Sequence, residues 1–230
     1  VVYNEMKGAY SSPEEVLANY IFKSLFPDNT YSQNSGGNPA YIPTLTYQEY
    51  LAFYHKYYHP VNSYIYLYGN MDIEERLTWM DEEYLSKYEQ IEVESDIPMQ
   101  KPFDKPKDVV ADYSIASDDP EENQTYLSYN RVIGESTDPV LYRAFDVLDY
   151  ALFSAPGAPV RQALIDAGIG DDVSGSFESG IKQPVFSVMA KNANASDKER
   201  FEQIIRKTLE KLVTDGINKD ALLAGINSAE

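Results

Sequence analysis

The chain has 230 residues, of which 43% are hydrophobic, enough apolar material for one large domain or two small ones. Its formal net charge of -18 disfavours binding to nucleic acid through phosphate neutralisation and adhesion to anionic membranes. The chain has no cysteine, which excludes disulfides, cysteine-based zinc sites and thiol catalysis. The lack of cysteine also fits a reducing cytoplasm, so a cytoplasmic location is our expectation.

The first residues of the chain predict helices. Residues 1–10 have helical character, and a second helix is expected to begin after Ser12, which can cap it. Pro13 suits the first helical position, and Glu14 and Glu15 favour the positive end of the helix dipole. We expect Glu14 on the solvent side of this second helix.

The next segment alternates between a loop, helices and one strand. Residues 28–45 are rich in Asn, Gly, Ser and Pro, which is typical of a long loop. Thr46 and Glu49 have the spacing of a capping box for a third helix. Residues 63–69, "SYIYLYG", predict a β-strand, and a fourth helix is expected from Asp72 onward.

A change in composition then divides the chain. Residues 89–107 are charged and include prolines at 98, 102 and 106, so this stretch is the best linker candidate. After it we predict two strands, two helices, two paired strands and two helices, which favours an α+β fold with helices covering one face of a sheet. The predicted strands are 109–116, 124–133, 172–179 and 185–192, and the predicted helices are 138–153, 159–168, one capped by Ser196 and Glu199, and one from Asn218.

Two histidines, His55 and His59, are the only ones in the chain. On a helix their spacing would place both on one face, as a possible metal pair. The zinc motif H-E-x-x-H needs a glutamate between them, which is missing here, so packing or hydrogen bonding with the neighbouring tyrosines is favoured. The glycines of "SGGNP" (35–39) indicate a tight turn rather than a phosphate cradle. Taken by its residue type alone, Glu5 is a helix-surface acid.

Three stretches of the sequence resemble a known family. They are "VVYNEMKGAYSSPE" (1–14), "LFPDNTYSQNSGGNPAYIPTLT" (25–46) and "FYHKYYHPVNSYIYLYGN" (53–70). These stretches are similar to the presequence-protease branch of the insulinase (pitrilysin) zinc metallopeptidases. The resemblance is dense over residues 1–70 and looser from there to the end of the chain.

The resemblance implies a role for Glu5. In that family zinc is held by the two histidines of an inverted H-x-x-E-H motif and by a glutamate on a downstream helix. The glutamate of "NEM" is this third ligand, so the resemblance assigns Glu5 as a zinc ligand. The H-x-x-E-H motif does not occur in the 230 residues, and we therefore expect the general base upstream of this chain. No catalytic residue and no cofactor other than zinc is assigned.

The resemblance also implies a domain scheme. Residues 1–95 would be the C-terminal part of an incomplete catalytic metallopeptidase domain, 96–107 a linker, and 108–230 a truncated second domain, homologous and non-catalytic. The chain would then be a fragment that is inactive alone. Its missing partners would be an N-terminal segment and the C-terminal half of the same polypeptide.

Two functions remain open for the parent protein. The first is a zinc endopeptidase that degrades short unstructured peptides, with no nucleic-acid or membrane partner. The acidic net charge suits basic peptide substrates by attraction. The second is a non-catalytic peptide-binding or scaffold member of the same fold, in which Glu5 is a relic. An intact upstream H-x-x-E-H would support the first function and a broken one the second.

Overall fold

A computed structural model describes residues 1–229 of the protein. These residues form two compact units, one made of residues 1–36 together with 98–229 and the other of residues 37–97. One boundary between the units falls inside the predicted linker, and the first 36 residues group with the C-terminal part. The family domain scheme of 1–95, 96–107 and 108–230 stays a prediction.

Three antiparallel strands form the sheet of the first unit. They are β1 (Thr125–Val132), β2 (Asp172–Glu178) and β3 (Val185–Ala193). β3 lies in the centre and pairs with both other strands, so the order is β1-β3-β2. All three strands lie where the sequence pattern predicts them. β-branched residues and alternation between an apolar and a polar face explain why these segments form strands.

The strand predicted at residues 109–116 is wrong. The segment is irregular, and Val110 is exposed to solvent. Its clearest link to the sheet is Tyr113, whose hydroxyl donates a hydrogen bond to the carbonyl oxygen of Gln124. Strand propensity does not decide pairing, because a strand also needs a neighbour with open backbone groups.

Helices cover one face of this sheet and confirm the predicted α+β class. They are α5 (Pro139–Asp149), a π-helical turn (Tyr150–Ser154), α6 (Pro159–Asp166), α7 (Lys198–Asp215) and α8 (Lys219–Ala229). α5, the π-helical turn, α6 and α7 contact the sheet, and α8 packs on α5 and the π-helical turn. The buried core between the layers consists of Leu127, Leu152, Phe153, Val160, Leu164, Ile169, Val173, Val188, Ala190, Ala193, Phe201 and Ile205.

A side-chain cap marks where α5 begins. Asp138 accepts hydrogen bonds from the backbone N–H groups of Val140 and Leu141 at the start of α5. The predicted capping box of Ser196 and Glu199 is wrong: α7 begins after Asp197 without a side-chain cap. A capping box of Asn194 and Asp197 instead begins the short 3₁₀ turn that precedes α7. Asn194 is the better anchor since its side chain also exchanges hydrogen bonds with Asn123.

The N-terminal helices belong to the same unit. α1 (Val2–Ala9) and α2 (Pro13–Leu25) form as predicted, and Ser12 caps α2 by accepting a hydrogen bond from the backbone of Glu15. α2 contacts β1. Phe26 follows α2 and is fully buried.

The predicted linker contains a firmly held residue. Gln100 is 6% exposed, and its backbone exchanges two hydrogen bonds with the side-chain amide of Gln183. Its own side-chain amide exchanges two more with Asp28, just after α2. Gln100 thereby joins the end of α2 to the segment before β3 without forming a strand. The buried amide groups are paired in hydrogen bonds, as buried polar groups usually are.

The second unit contains α3 (Tyr47–Tyr57) and α4 (Ile73–Glu83). The capping box of Thr46 and Glu49 is present as predicted. The predicted strand at 63–69 is wrong, because this segment is irregular and pairs with no strand among the described residues. Its tyrosines are strongly exposed: 105% for Tyr64 and 84% for both Tyr66 and Tyr68.

None of the helices in residues 1–229 combines the length and the hydropathy that crossing a bilayer requires.

The helical layer lies unusually close to β2 at Gly175. A Cβ atom at this position would overlap the ring of Phe153 and the carboxylate of Asp149. We therefore expect Gly175→Ala to lower the free energy of unfolding by about 1–3 kcal/mol, the usual range for overpacking a core. Urea denaturation measures this. Ser176→Ala, at the exposed neighbouring position of β2, is the control and should change stability by less than about 0.5 kcal/mol. Equal effects of the two variants would contradict the close-approach explanation.

Candidate functional site

Glu5 lies in the first turn of α1. The backbone N–H groups of Asn4 and Glu5 donate to the carbonyl of Val1, so this turn is regular. A carboxylate in a first turn is favoured by the helix dipole. The side chain is exposed and makes no hydrogen bond or ion pair with residues 1–229. Its carboxylate is therefore open to a ligand from outside these residues.

The donor set near Glu5 decides what it can hold. Across the described part of the chain, no three His, Cys, Asp or Glu side chains come together as a group that could bind a metal ion. A His₂Glu zinc site needs one carboxylate and two imidazoles, with one position left for water. Glu5 fits the carboxylate of such a set, and this chain does not build the rest. Its role as a metal ligand stays a prediction.

The two histidines do not form a helical pair. α3 ends at Tyr57, so His59 lies outside the helix. Its Nδ1 accepts a hydrogen bond from the backbone N–H of Val61 at 3.3 Å, and its ring meets Tyr88 edge-on. The ring of His55 meets Tyr54 edge-on. These contacts confirm the interpretation that the histidines pack and hydrogen-bond locally.

The glycine loop is a turn, as predicted. Gly37 has φ of 90°, a conformation that glycine adopts without strain. The backbone N–H of Gly36 donates to the Asn34 side chain, so it is not free to bind a phosphate. A Cβ atom at Gly36 would overlap the side chain of Met6 on α1. The loop is therefore a tight turn that passes close to Met6, and its Gly36 N–H is not open to an anion.

Glu14 is half-buried, and the expectation that it faces solvent is wrong. The Nζ atom of Lys191 on β3 lies 3.1 Å from its Oε1, and the Ser12 hydroxyl donates to its Oε2 at 3.0 Å. The backbone N–H of Glu14 itself, then Lys191, lower the pKa of this carboxyl. The hydrogen bond from Lys191 to Glu14 raises the pKa of the lysine in turn.

Two tyrosines surround this ion pair. The rings of Tyr113 and Tyr126 meet edge-on, with centroids 5.8 Å apart. Burial raises the pKa of both hydroxyls, and the nearby charge of Glu14 contributes to the increase. We call Glu14, Lys191, Tyr113 and Tyr126 the Glu14 cluster. Because Glu14 and Lys191 form an ion pair with each other, the cluster joins α2 to β3, and we assign it no catalytic role.

Asp149 is the acid with the least favourable surroundings. Its Oδ1 is buried without a hydrogen-bond partner among the described residues. Burial, and then the negative charge of Asp146, raise the pKa of this carboxyl. Asp149 belongs to no group of three or more His, Cys, Asp or Glu side chains in residues 1–229 that could bind a metal ion. The sequence gives no signal for this, because Asp149 ends a helix where a polar residue is unremarkable.

Most of the chain matches a known protein family. Residues 44–228 match the model of the Peptidase M16 inactive domain. The chain belongs to the M16 peptidase family. This result confirms the resemblance to the insulinase-type metallopeptidases. The matched residues include α3, α4 and the whole sheet, whereas Glu5 and Glu14 lie outside them.

Curated M16 relatives match the chain over its whole length. It is 47% identical over 230 residues to Protein HypA of Clostridium perfringens, covering 100% of this chain and 24% of that protein. It is 35% identical over 234 residues to Presequence protease 1, chloroplastic/mitochondrial, of Arabidopsis thaliana, covering 100% of this chain and 22% of the relative. The chain thus spans less than a quarter of the length of these relatives.

Solved structures share the fold at low sequence identity. A conserved protein from Enterococcus faecalis V583 superposes with a TM-score of 0.69 at 12% identity, covering 97% of this chain and 51% of the other. A protease from Helicobacter pylori superposes with a TM-score of 0.67 at 16% identity, covering 99% of this chain and 54% of the other. Both confirm the α+β architecture.

Removing the charge of Asp149 should stabilise the protein. Because the pKa of Asp149 is raised in the folded state, the folded protein holds this proton more tightly than the unfolded chain does. The protonated group therefore favours folding in acid, and this contribution to stability is lost as the pH rises through the folded-state pKa. We expect Asp149→Asn to raise the free energy of unfolding at pH 7 by about 1 kcal/mol, because burying a neutral amide costs less than burying an ionised carboxylate. The gain should vanish below a pH of about 4, the usual pKa range of aspartate.

Urea denaturation between pH 3 and pH 8 measures this effect. Asp112→Asn is the matched control, since Asp112 is exposed in an irregular segment. An equal increase in stability for both variants, or one that does not depend on pH, would contradict the explanation that burying the charge of Asp149 is unfavourable.

Proposed function

We propose that this chain is part of a zinc-dependent endopeptidase that degrades short unstructured peptides. In this proposal Glu5 supplies the carboxylate ligand of the metal, and the general base and two histidines come from an upstream H-x-x-E-H motif. The observation that carries the proposal is the exposed carboxylate of Glu5, on a helix, without any partner in residues 1–229. Membership in a peptidase family and relatives named presequence protease support it.

The residues of this chain have a limited task in the proposed site. When bound, zinc polarises the scissile carbonyl and acidifies a water molecule. Glu5 provides one negatively charged oxygen ligand, and α1 holds that oxygen in a fixed direction. The chain alone, with one ligand of three, is then inactive.

The proposed partners are peptides and further segments of the same polypeptide. The net charge of -18 favours the approach of basic peptides. Two observations support further segments. The chain spans 24% of the length of Protein HypA, and the irregular residues 63–68 expose three tyrosines without a paired strand in the described chain. A cytoplasmic location is part of the proposal and rests on the absence of cysteine.

A second candidate function is favoured by one observation. The family model that matches residues 44–228 is described as an inactive domain, and Glu5 lies outside it. The parent would then be a non-catalytic peptide-binding or scaffold protein, and Glu5 a relic. The upstream sequence separates the two functions, because only the peptidase needs an intact H-x-x-E-H.

The isolated chain should bind zinc weakly and cleave nothing. A single carboxylate cannot close a zinc site, and the two histidines are engaged with their neighbours. Isothermal titration with zinc should give no stoichiometric binding, and a quenched-peptide assay should stay at the buffer blank. Tight binding that His59→Ala abolishes would show that the histidines form a site after all. Peptide turnover by the chain would overturn the proposed division of ligands.

In the full-length protein, Glu5→Gln should abolish most activity. The side chain keeps its length and its helix propensity but loses the negative charge on which a zinc ligand depends. We expect kcat/KM and zinc retention to fall by about 100-fold, the upper end for changes around zinc sites. Peptide-cleavage kinetics and metal analysis after dialysis measure the two effects.

The control for this experiment follows from the structure. Glu14→Gln is unsuitable because Glu14 binds Lys191. Glu15 is exposed, lies in the first turn of α2, and its carboxylate forms no hydrogen bond or ion pair in the described chain. Glu15→Gln should leave activity and zinc content unchanged. Equal activity of wild type, Glu5→Gln and Glu15→Gln would refute the peptidase proposal for this chain.

A further inference from the structure

α1 carries Glu5 but has little packing of its own. None of its eight described residues is buried, and its valine and tyrosine side chains at positions 2 and 3 are exposed. Met6 is only half-buried, against Gly36. A short helix without a buried face gains little stability from its surroundings. The direction of α1 must therefore be set mainly where it joins α2.

The corner between α1 and α2 is short and fully hydrogen-bonded. The Ser11 hydroxyl donates to the carbonyl of Gly8 at 2.6 Å, and the backbone N–H of Ser12 donates to the carbonyl of Ala9 at 3.1 Å. The Ser12 hydroxyl then donates to Glu14. These bonds join α1 to the first turn of α2 as one piece, so whatever fixes that turn also fixes α1.

Lys191 is the charged group that fixes this turn. It lies on β3, the central strand, and its Nζ is 3.1 Å from Glu14 Oε1, across 177 positions of sequence. Both oxygens of Glu14 are thus engaged, one by the corner and the other by the sheet. The lysine side chain is 28% exposed and the glutamate 41%, so solvent screens the pair only in part.

We propose that the Glu14–Lys191 ion pair is a positioning device that fixes the direction of α1 and with it the carboxylate of Glu5. Glu14 and Lys191 are positioning residues, since neither needs to touch metal or substrate. The consequence for the metal rests on the proposed function of Glu5, whereas the consequence for α1 does not.

Other contacts near α1 do different work. The Asn34 side-chain amide donates a hydrogen bond to the Asn19 side chain, which ties the loop to α2. The contacts of α2 with β1 hold that helix on the sheet along its length. Only Glu14, within the described residues, joins the first turn of α2 to the central strand by an ion pair. Loss of this pair should leave α2 in place and free its first turn.

The direction of α1 can be measured in the isolated chain. The chain has no cysteine, so Lys7→Cys on α1 and Ser176→Cys on β2 place two spin labels at exposed sites without background. Pulsed dipolar spectroscopy gives the distance distribution between the labels. Lys191→Met should broaden this distribution, and Lys191→Arg should keep it narrow because it restores the ion pair.

A second ion pair in the same unit supplies the control. Arg206 and Glu202 pair at 2.6 Å on the exposed side of α7. Arg206→Met should leave the distance distribution unchanged. A narrow distribution in Lys191→Met, even with a lower melting temperature, would overturn the proposal. The same broadening in Arg206→Met would overturn it as well.

The full-length protein tests the consequence for Glu5. We expect Lys191→Met to release zinc about tenfold faster, as for groups that orient a zinc ligand. Zinc release should return to the wild-type rate in Lys191→Arg. If Glu5→Gln loses zinc but Lys191→Met does not, the positioning of the ligand is overturned. If Glu5→Gln keeps its zinc, the proposed function fails, and the distance measurement alone decides whether the pair positions α1.

Discussion

The close approach of the π-helical turn to β2 is the constraint on which the larger unit depends. Gly175 has no side chain, so the ring of Phe153 can lie directly on the backbone of the strand. Phe153 then reaches Phe186 on the central strand, with ring centroids 6.1 Å apart. The wider π-helical geometry at Tyr150–Ser154 places this ring at the end of α5. A side chain at Gly175 would push the whole helical layer outward, because protein interiors do not leave spare volume.

This geometry gives the two faces of the sheet different chemistry. The face towards the helices is filled by residues such as Val173, Val188 and Leu127, and it holds the buried core. The alternate positions on β3 include Ser187, Met189 and Lys191, which point to the other face. That face is held to α2 by an ion pair and tyrosines as well as by packing. The core supplies most of the stability, since a partly exposed ion pair contributes about 1 kcal/mol or less.

Much of the fold was predictable from sequence, because local signals decide helices and alternating patterns decide paired strands. Examples are the helix caps at Ser12, Thr46 and Asp138, and the paired strands β2 and β3 on both sides of residues 180–184. The errors at 63–69 and 109–116 have a common cause: propensity describes the conformation of one segment, whereas pairing depends on another.

The candidate site was predictable only in part. A motif identified Glu5, but the partner of Glu14 lies 177 positions away, beyond the reach of a helix pattern. The unpaired oxygen of Asp149 likewise lies against a glycine in another element, Gly175 of β2. Pairs of residues brought together by the tertiary fold leave no mark in a local pattern, and a single sequence offers no other evidence for them.

The irregular segment at residues 63–68 has a consequence for association between chains. Its three tyrosines are exposed, and its backbone pairs with no strand among the described residues. Exposed, unpaired backbone of this kind is a template to which another chain can add a strand. The surplus of acidic residues opposes this, because chains that carry a net charge of -18 repel one another. The net charge of -18 therefore opposes association of chains through this exposed segment.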